Sequence, residues 1–137
     1  MTVETTSKHG VRKRTGVTRV FFATRNSIDG FIAAWREESS FRQELIAFIA
    51  LVPCAFLLNI SPLERALLLI TALLVLLVEL INSSIEAAID RISLDRHELS
   101  KRAKDCGSAA VCVALLICAL AWGSVCIPLV MRWVRAW

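Results

Sequence analysis

The sequence predicts an all-α integral membrane protein, with three transmembrane helices preceded by an N-terminal amphipathic surface helix. Three observations carry this reading. Of 137 residues, 56% are hydrophobic, and the mean hydropathy is +0.61. A soluble chain of this size has too little interior to hide such a fraction. The apolar residues gather in long runs, and basic residues crowd the flanks of those runs.

Residues 1–17 are polar and basic, with Arg12, Lys13 and Arg14 clustered. They read as a tail at the membrane surface or as a solvated tail without a task. No secretory signal is expected, because roughly forty charged and mixed residues precede the first long apolar run, whereas a signal's apolar run comes early. Residues 18–43 read as an amphipathic helix. Ile28, Phe31, Ile32 and Trp35 fall at i, i+3, i+4 and i+7, one stripe suited to lipid or to the protein's own helices. Gly30 is a candidate bend.

The membrane domain is expected over 44–131, with spans at about 44–60, 62–90 and 107–131. The first run is short and contains Pro53. The second opens at Ser61-Pro62-Leu63-Glu64, where Ser61 suits the N-cap, Pro62 the first helical position and Glu64 the third, a capping box. The third carries Trp122, with Trp133 just beyond it; both suit interfacial anchoring or packing. Cys54, Cys106, Cys112, Cys118 and Cys126 form no CxxC pair and read as packing thiols.

The net charge of +4 fits an anionic membrane face better than nucleic acid, because the basic residues flank apolar segments. Lys8, Arg12, Lys13, Arg14, Arg19, Arg25, Arg36 and Arg42 precede the first span. Arg91, Arg96, Lys101, Arg102 and Lys104 lie between the second and third. Only Arg65, Arg132 and Arg135 belong to the other side. The positive-inside rule then places the N-terminus and the 90–106 loop in the cytoplasm, and the Ser61 turn and C-terminus outside.

The second span raises a chemical problem. Glu79, Asn82, Glu86 and Asp90 share one face of it, with Ser83 beside them. From Pro62 to Glu79 is about 25 Å of helix, so in a hydrocarbon core of about 30 Å the acids cluster near the cytoplasmic boundary. A carboxylate in a membrane helix costs roughly 2.5–3.5 kcal/mol even on a lenient scale. The stripe should therefore face helices or a wet pocket, and several copies of the chain are expected to enclose it. Three readings stand side by side: pairing with Arg91, Arg96 or Lys104 for packing; a proton- or cation-coupled transport site at Glu79; or an interfacial enzyme holding Mg²⁺ against a phosphate.

The stretch ELINSSIEAAID, residues 79–90, resembles the signature of the bacterial diacylglycerol kinases, the small integral-membrane type. WREESSFRQE (35–44), HELSKRAKD (97–105) and SAAV (108–111) are similar to further blocks of that family, and the likeness covers about residues 15–123. It implies a homotrimer in the bacterial inner membrane. The implied activity is transfer of the γ-phosphoryl of MgATP to the sn-3 hydroxyl of diacylglycerol, giving phosphatidic acid. Neither a P-loop nor a kinase Gly-rich loop is present. Direct in-line transfer is expected, since no nucleophile stands out in the motif.

The resemblance also implies roles. Glu79 matches the general base, and Asn82 the polar residue near it and the γ-phosphate. Glu38 and Glu86 match the Mg²⁺ ligands and contact ATP through the metal. Arg19, Asn26, Asp95, His97, Lys104 and Asp105 fall at nucleotide-contacting positions. Arg19, Trp35, Arg42, Glu79 and Ser108 fall on the lipid side. Asp90 reads as a cap or brace of the helix end. The chain departs from the pattern at Asn26, where an aromatic is usual, at Ile28 in place of Trp, at Ser93 and Lys101 in place of glycines, and at Asp95 in place of Glu. An undecaprenol kinase of the same broader family, a proton-coupled small-molecule transporter and a catalytically silent scaffold remain alternatives.

Overall fold

The structure is a computed structural model and describes residues 16–93 and 95–136. The basic tail, Leu94 and the C-terminal Trp137 lie outside the described residues. Four helices follow in chain order: α1 (Val17–Glu37), α2 (Ser39–Leu57), α3 (Pro62–Ile92) and α4 (Glu98–Arg135). The chain divides into two compact units, residues 1–32 and 33–137.

The first unit holds most of α1. Gly16 precedes it at φ +73°, a left-handed conformation that glycine adopts without steric cost, and its carbonyl accepts from the Arg19 N–H at 3.0 Å. Thr24 and Ser27 return their hydroxyls to carbonyls four residues back, and Arg25 pairs with Asp29 at 3.9 Å. Helix α1 continues through Gly30, the candidate bend, without a break. One glycine in a helix interior costs only about 1 kcal/mol, which the flanking turns absorb.

The single helix expected over 18–43 is broken at Glu38. That residue is extended (φ −105°, ψ 113°) and serves as N-cap of α2. The Ser39-Ser40 pair favours helix starts over helix interiors. Across the break, Arg42 Nη1 donates to the carbonyls of Trp35 at 3.0 Å and Arg36 at 3.1 Å, capping the open end of α1. The first span accordingly begins five residues earlier than expected. Its 19 residues extend about 28 Å, just short of a hydrocarbon core of about 30 Å and within the usual range of residues for a span.

In the second unit α3 is the central helix, packed on both α2 and α4. Its start is the capping box expected from sequence: the Glu64 N–H donates to Ser61 Oγ at 3.2 Å and the Ser61 N–H to Glu64 Oε2 at 2.8 Å. Next to this start, Ala55, Leu68 and Val125 form a core shared by α2, α3 and α4. Trp122 Nε1 donates to the Leu68 carbonyl at 3.3 Å, so Trp122 ties α4 to α3. Arg65 donates to the Ala55 and Leu58 carbonyls at 3.0 and 3.3 Å and lies over the Phe56 ring at 5.5 Å. It thereby satisfies the Ala55 carbonyl that the end of α2 leaves free and adds a second donor to the Leu58 carbonyl, which also accepts the Ile60 N–H at 3.0 Å. Nearer the other end, Phe41 is fully buried against Ala34 and Leu76.

α2, α3 and α4 are each long and apolar enough to cross a membrane. At 31 and 38 residues, α3 and α4 run about 46 and 57 Å, well beyond the hydrocarbon thickness. Helix α4 starts at Glu98, nine residues before the span expected from hydropathy, so Lys101, Lys104 and Asp105 are helical.

Arg65→Ala is expected to destabilise the chain in detergent by about 1–3 kcal/mol, the cost of stranding the Ala55 carbonyl. Arg65→Lys should recover only part, because one ammonium replaces a planar fork. Thermal unfolding of the two variants beside the wild type checks both.

Candidate active site

The stripe on α3 enters the packed face of the second unit. Glu79 is 3% exposed and Asn82 8%. Asn82 Nδ2 donates to Glu86 Oε1 at 3.1 Å, one turn further along. Across the interface is Gly107 of α4, where there is no room for a side chain because Asn82 Oδ1 occupies the place of a Cβ. That oxygen is buried and has no hydrogen-bond partner, as are Glu44 Oε2 and Ser83 Oγ.

Glu79 lies within electrostatic reach of Glu38 and Glu86, and Glu44 within reach of Glu79. Lys104 pairs with Asp90 and also feels Glu86 and Glu38. The structure thus brings Glu38, Glu79, Asn82, Glu86 and Lys104 into one neighbourhood, drawn from the α1–α2 break, α3 and α4. Among the described residues no three His, Cys, Asp or Glu side chains form a metal cage. A Mg²⁺ ion that arrives with a nucleotide needs only one or two protein carboxylates, since phosphate oxygens and water complete its octahedron. Glu38 and Glu86, both near Glu79, fit that requirement.

The packing reading of the stripe holds at one position. Among the described residues the ion pairs are Arg25–Asp29, Lys101–Asp105 and Lys104–Asp90, so Asp90 braces α3 against α4. Neither Arg91 nor Arg96 pairs with the stripe. A single chain already buries Glu79 and Asn82, so enclosing these two does not itself require several copies.

The α3–α4 turn forms an open cavity of about 460 Å³, lined by Ile89, Asp90, Ser93, Asp95, Arg96, His97, Glu98, Ser100, Lys101 and Lys104. It brings Asp95, His97 and Lys104 together. The Asp95 N–H donates to Ser93 Oγ at 2.9 Å. His97 caps α4, its Nδ1 accepting the Leu99 N–H at 3.2 Å, which leaves Nε2 free to meet a ligand. Asp105 pairs with Lys101 on the exposed surface of α4, outside this cavity. Trp35 and Ser108 are exposed, and the Arg42 guanidinium is engaged with the α1 carbonyls. Arg19 and Asn26 are exposed on the first unit.

Two members of this neighbourhood escaped the sequence reading. Glu44 opens an apolar run as anomalously as Glu79 sits in one, and that anomaly was the available signal. Gly107 gave none, because its importance depends on which α3 residue it faces.

Three apolar helices and a carboxylate cluster around a buried acid define a membrane protein with a polar site built into its span. The family model for prokaryotic diacylglycerol kinase matches residues 25–126. A diacylglycerol kinase of Pseudomonas aeruginosa is 51% identical over 112 residues, covering 82% of this chain and 91% of that protein. The Escherichia coli K12 diacylglycerol kinase is 45% identical over 108 residues, 79% of this chain and 88% of its own. One from Helicobacter pylori is 41% identical over 120 residues, 88% and 94%. The chain belongs to the prokaryotic diacylglycerol kinase family, a family of ATP-dependent membrane lipid kinases. Every clustered residue lies within the matched segment; Arg19 lies outside it.

Asp90→Asn removes the brace between α3 and α4. The pair is substantially exposed, so overall stability should change little. Amide hydrogens around residues 91–97 should exchange faster, as hydrogen-exchange mass spectrometry would register.

Proposed function

We propose that this chain transfers the γ-phosphoryl group of MgATP to the sn-3 hydroxyl of diacylglycerol, giving phosphatidic acid and ADP. The observation that carries the reading is Glu79, a buried carboxylate on a membrane helix, flanked by Glu38 and Glu86 in a chain of this family.

The transfer is direct. The lipid oxygen forms its bond to the γ-phosphorus as the bond to the β–γ bridging oxygen breaks, and ADP leaves with that electron pair. The hydroxyl proton passes to a Glu79 oxygen. Burial shields Glu79 from bulk water, and the lipid hydroxyl in this reading enters the packed face of α3 to reach it. Asn82 steadies Glu86 through the 3.1 Å hydrogen bond. Glu38 and Glu86 hold Mg²⁺, which neutralises phosphate charge when bound. Lys104 meets the phosphates as a point charge, and Asp95 and His97 meet the nucleoside in the α3–α4 cavity. The resemblance further assigns Arg19, Asn26 and Asp105 to the nucleotide side, and Trp35, Arg42 and Ser108, with Arg19, to the lipid side.

The working form in this reading is a homotrimer in the bacterial inner membrane. The exposed Ile, Leu, Val and Phe along the three spans suit lipid and neighbouring copies alike. The N-terminus and the α3–α4 turn face the cytoplasm, where ATP is, and the Ser61 turn and C-terminus face the periplasm. The excess of basic residues on the first side supports this orientation.

MgATP-dependent phosphorylation of dioleoylglycerol in mixed micelles tests the activity, with undecaprenol assayed beside it. Diacylglycerol should be the better acceptor, and a preference for the polyprenol would overturn the substrate assignment. Glu79→Gln should lower kcat by about 10²–10⁴-fold, the range for loss of a general base. Wild-type turnover in that variant would remove Glu79 from the role. Glu38→Gln and Glu86→Gln should each move the Mg²⁺ titration to higher concentration. In a cysteine-free background, Ser93→Cys should label with an impermeant maleimide only in inside-out vesicles and Ser61→Cys only in right-side-out ones; the opposite pattern would reverse the topology.

A further inference from the structure

Three features of the α3–α4 interface converge on one residue outside the stripe. Asn82 is nearly buried, and its two amide ends face different surroundings. The Nδ2 end donates to Glu86, which as a carboxylate only accepts. The Oδ1 end is therefore turned the other way. It is buried, lacks a hydrogen-bond partner, and fills the place that a side chain at Gly107 would take. The backbones are not unusually close. A Cβ at Gly107 would stand 3.8 Å from Asn82 Cα, an ordinary contact, and 3.3 Å from Asn82 Cγ. Only the amide group is in the way. Gly107 is helical, without a positive φ, so backbone conformation does not require glycine here. What requires it is the Asn82 amide.

We infer that Gly107 is a positioning residue: its missing side chain leaves the notch that holds the Asn82 amide in the rotamer that binds Glu86. Through Asn82 it sets where the Glu86 carboxylate points. This rests on the proposed reading only in what Glu86 is for; the coupling from Gly107 to Asn82 to Glu86 is geometric.

Gly107→Ala supplies the test, because local preference and the notch pull in opposite directions. Alanine is the better helix former, and the backbones need not separate, so the variant should fold and assemble like the wild type. Its methyl group must turn the amide and break the bond to Glu86. A shift of about 1 Å in a positioning contact can cost on the order of 10²-fold in rate, and kcat should fall toward that extent with little change in KM for the lipid. Independently of turnover, Mn²⁺ binding in the presence of a non-hydrolysable ATP analogue, followed by electron paramagnetic resonance, should weaken several-fold. In an Asn82→Ala background the methyl has nothing to strike, so adding Gly107→Ala should leave Mn²⁺ affinity where Asn82→Ala put it.

Wild-type kcat and Mn²⁺ affinity in folded Gly107→Ala would overturn the inference. So would a further loss in the Asn82→Ala background, or failure of Gly107→Ala to fold, since either would mean that glycine serves helix packing rather than the amide. A wild-type chain that binds Mn²⁺ with the analogue but phosphorylates no lipid would sink the kinase reading alone, leaving the Mn²⁺ comparison to decide the role of Gly107.

Discussion

A carboxylate on an apolar helix has to be covered, and the packing around Glu79 is organised around that constraint. Glu79 cannot face hydrocarbon without a cost of roughly 2.5–3.5 kcal/mol, and it cannot face bulk water while the helix around it is Leu, Val and Ile. Helices α2 and α4 resolve the conflict by closing over one side of α3. Phe41 fills the space beside Leu76, and Gly107 leaves the place that the Asn82 amide takes. What the cover does not provide is neutralisation. Glu38, Glu44 and Glu86 are further carboxylates in the same neighbourhood, and Lys104, a cation within reach of Glu38 and Glu86, is already engaged with Asp90. Such a cluster favours the arrival of a cation.

The two ends of α3 are held by different means. Near Ser61 the contacts are fully made: a reciprocal capping box, an arginine on the last carbonyls of α2, and an indole N–H on the Leu68 carbonyl. Around Glu79 to Asp90 they are incomplete, with Asn82 Oδ1, Glu44 Oε2 and Ser83 Oγ all buried and unpartnered. Unpartnered polar atoms in an interior cost stability, and here they are concentrated at one end. The Ser61 end anchors the helices against one another, and the other end holds the groups to which the proposed reading gives the chemistry.

This division explains what could be read from the residues alone. The Ser61 cap was legible because a capping box is a four-residue pattern whose partners are sequence neighbours. The stripe was legible because helical periodicity alone puts Glu79, Asn82 and Glu86 on one face. The break at Glu38 was not, since helix propensity runs through it and the cap that secures it comes from Arg42, on the far side. His97 as the N-cap of α4 was missed for a related reason: the hydropathy signal begins only at Gly107, nine residues after the helix does. Glu44 and Gly107 depend on which faces of α2 and α4 meet α3, and no single helix encodes that.

The break at Glu38 has a consequence for the proposed metal site. Glu86 stands on a long, continuous helix, where its carboxylate is restrained by Asn82. Glu38 stands at a one-residue junction between helices, in extended backbone, with no side-chain cap bond to hold it. Two ligands on rigid elements would have to match the ion's geometry in advance. One restrained and one free ligand can accept an ion that arrives already bound to phosphate, the free one adjusting to it. Mg²⁺ demands near-ideal octahedral angles and sheds water reluctantly, so a site with one adjustable carboxylate suits an ion carried in by its nucleotide and released with it each turnover. The same logic makes the rigid partner the one worth positioning accurately, and that is the partner reached through Asn82 from Gly107.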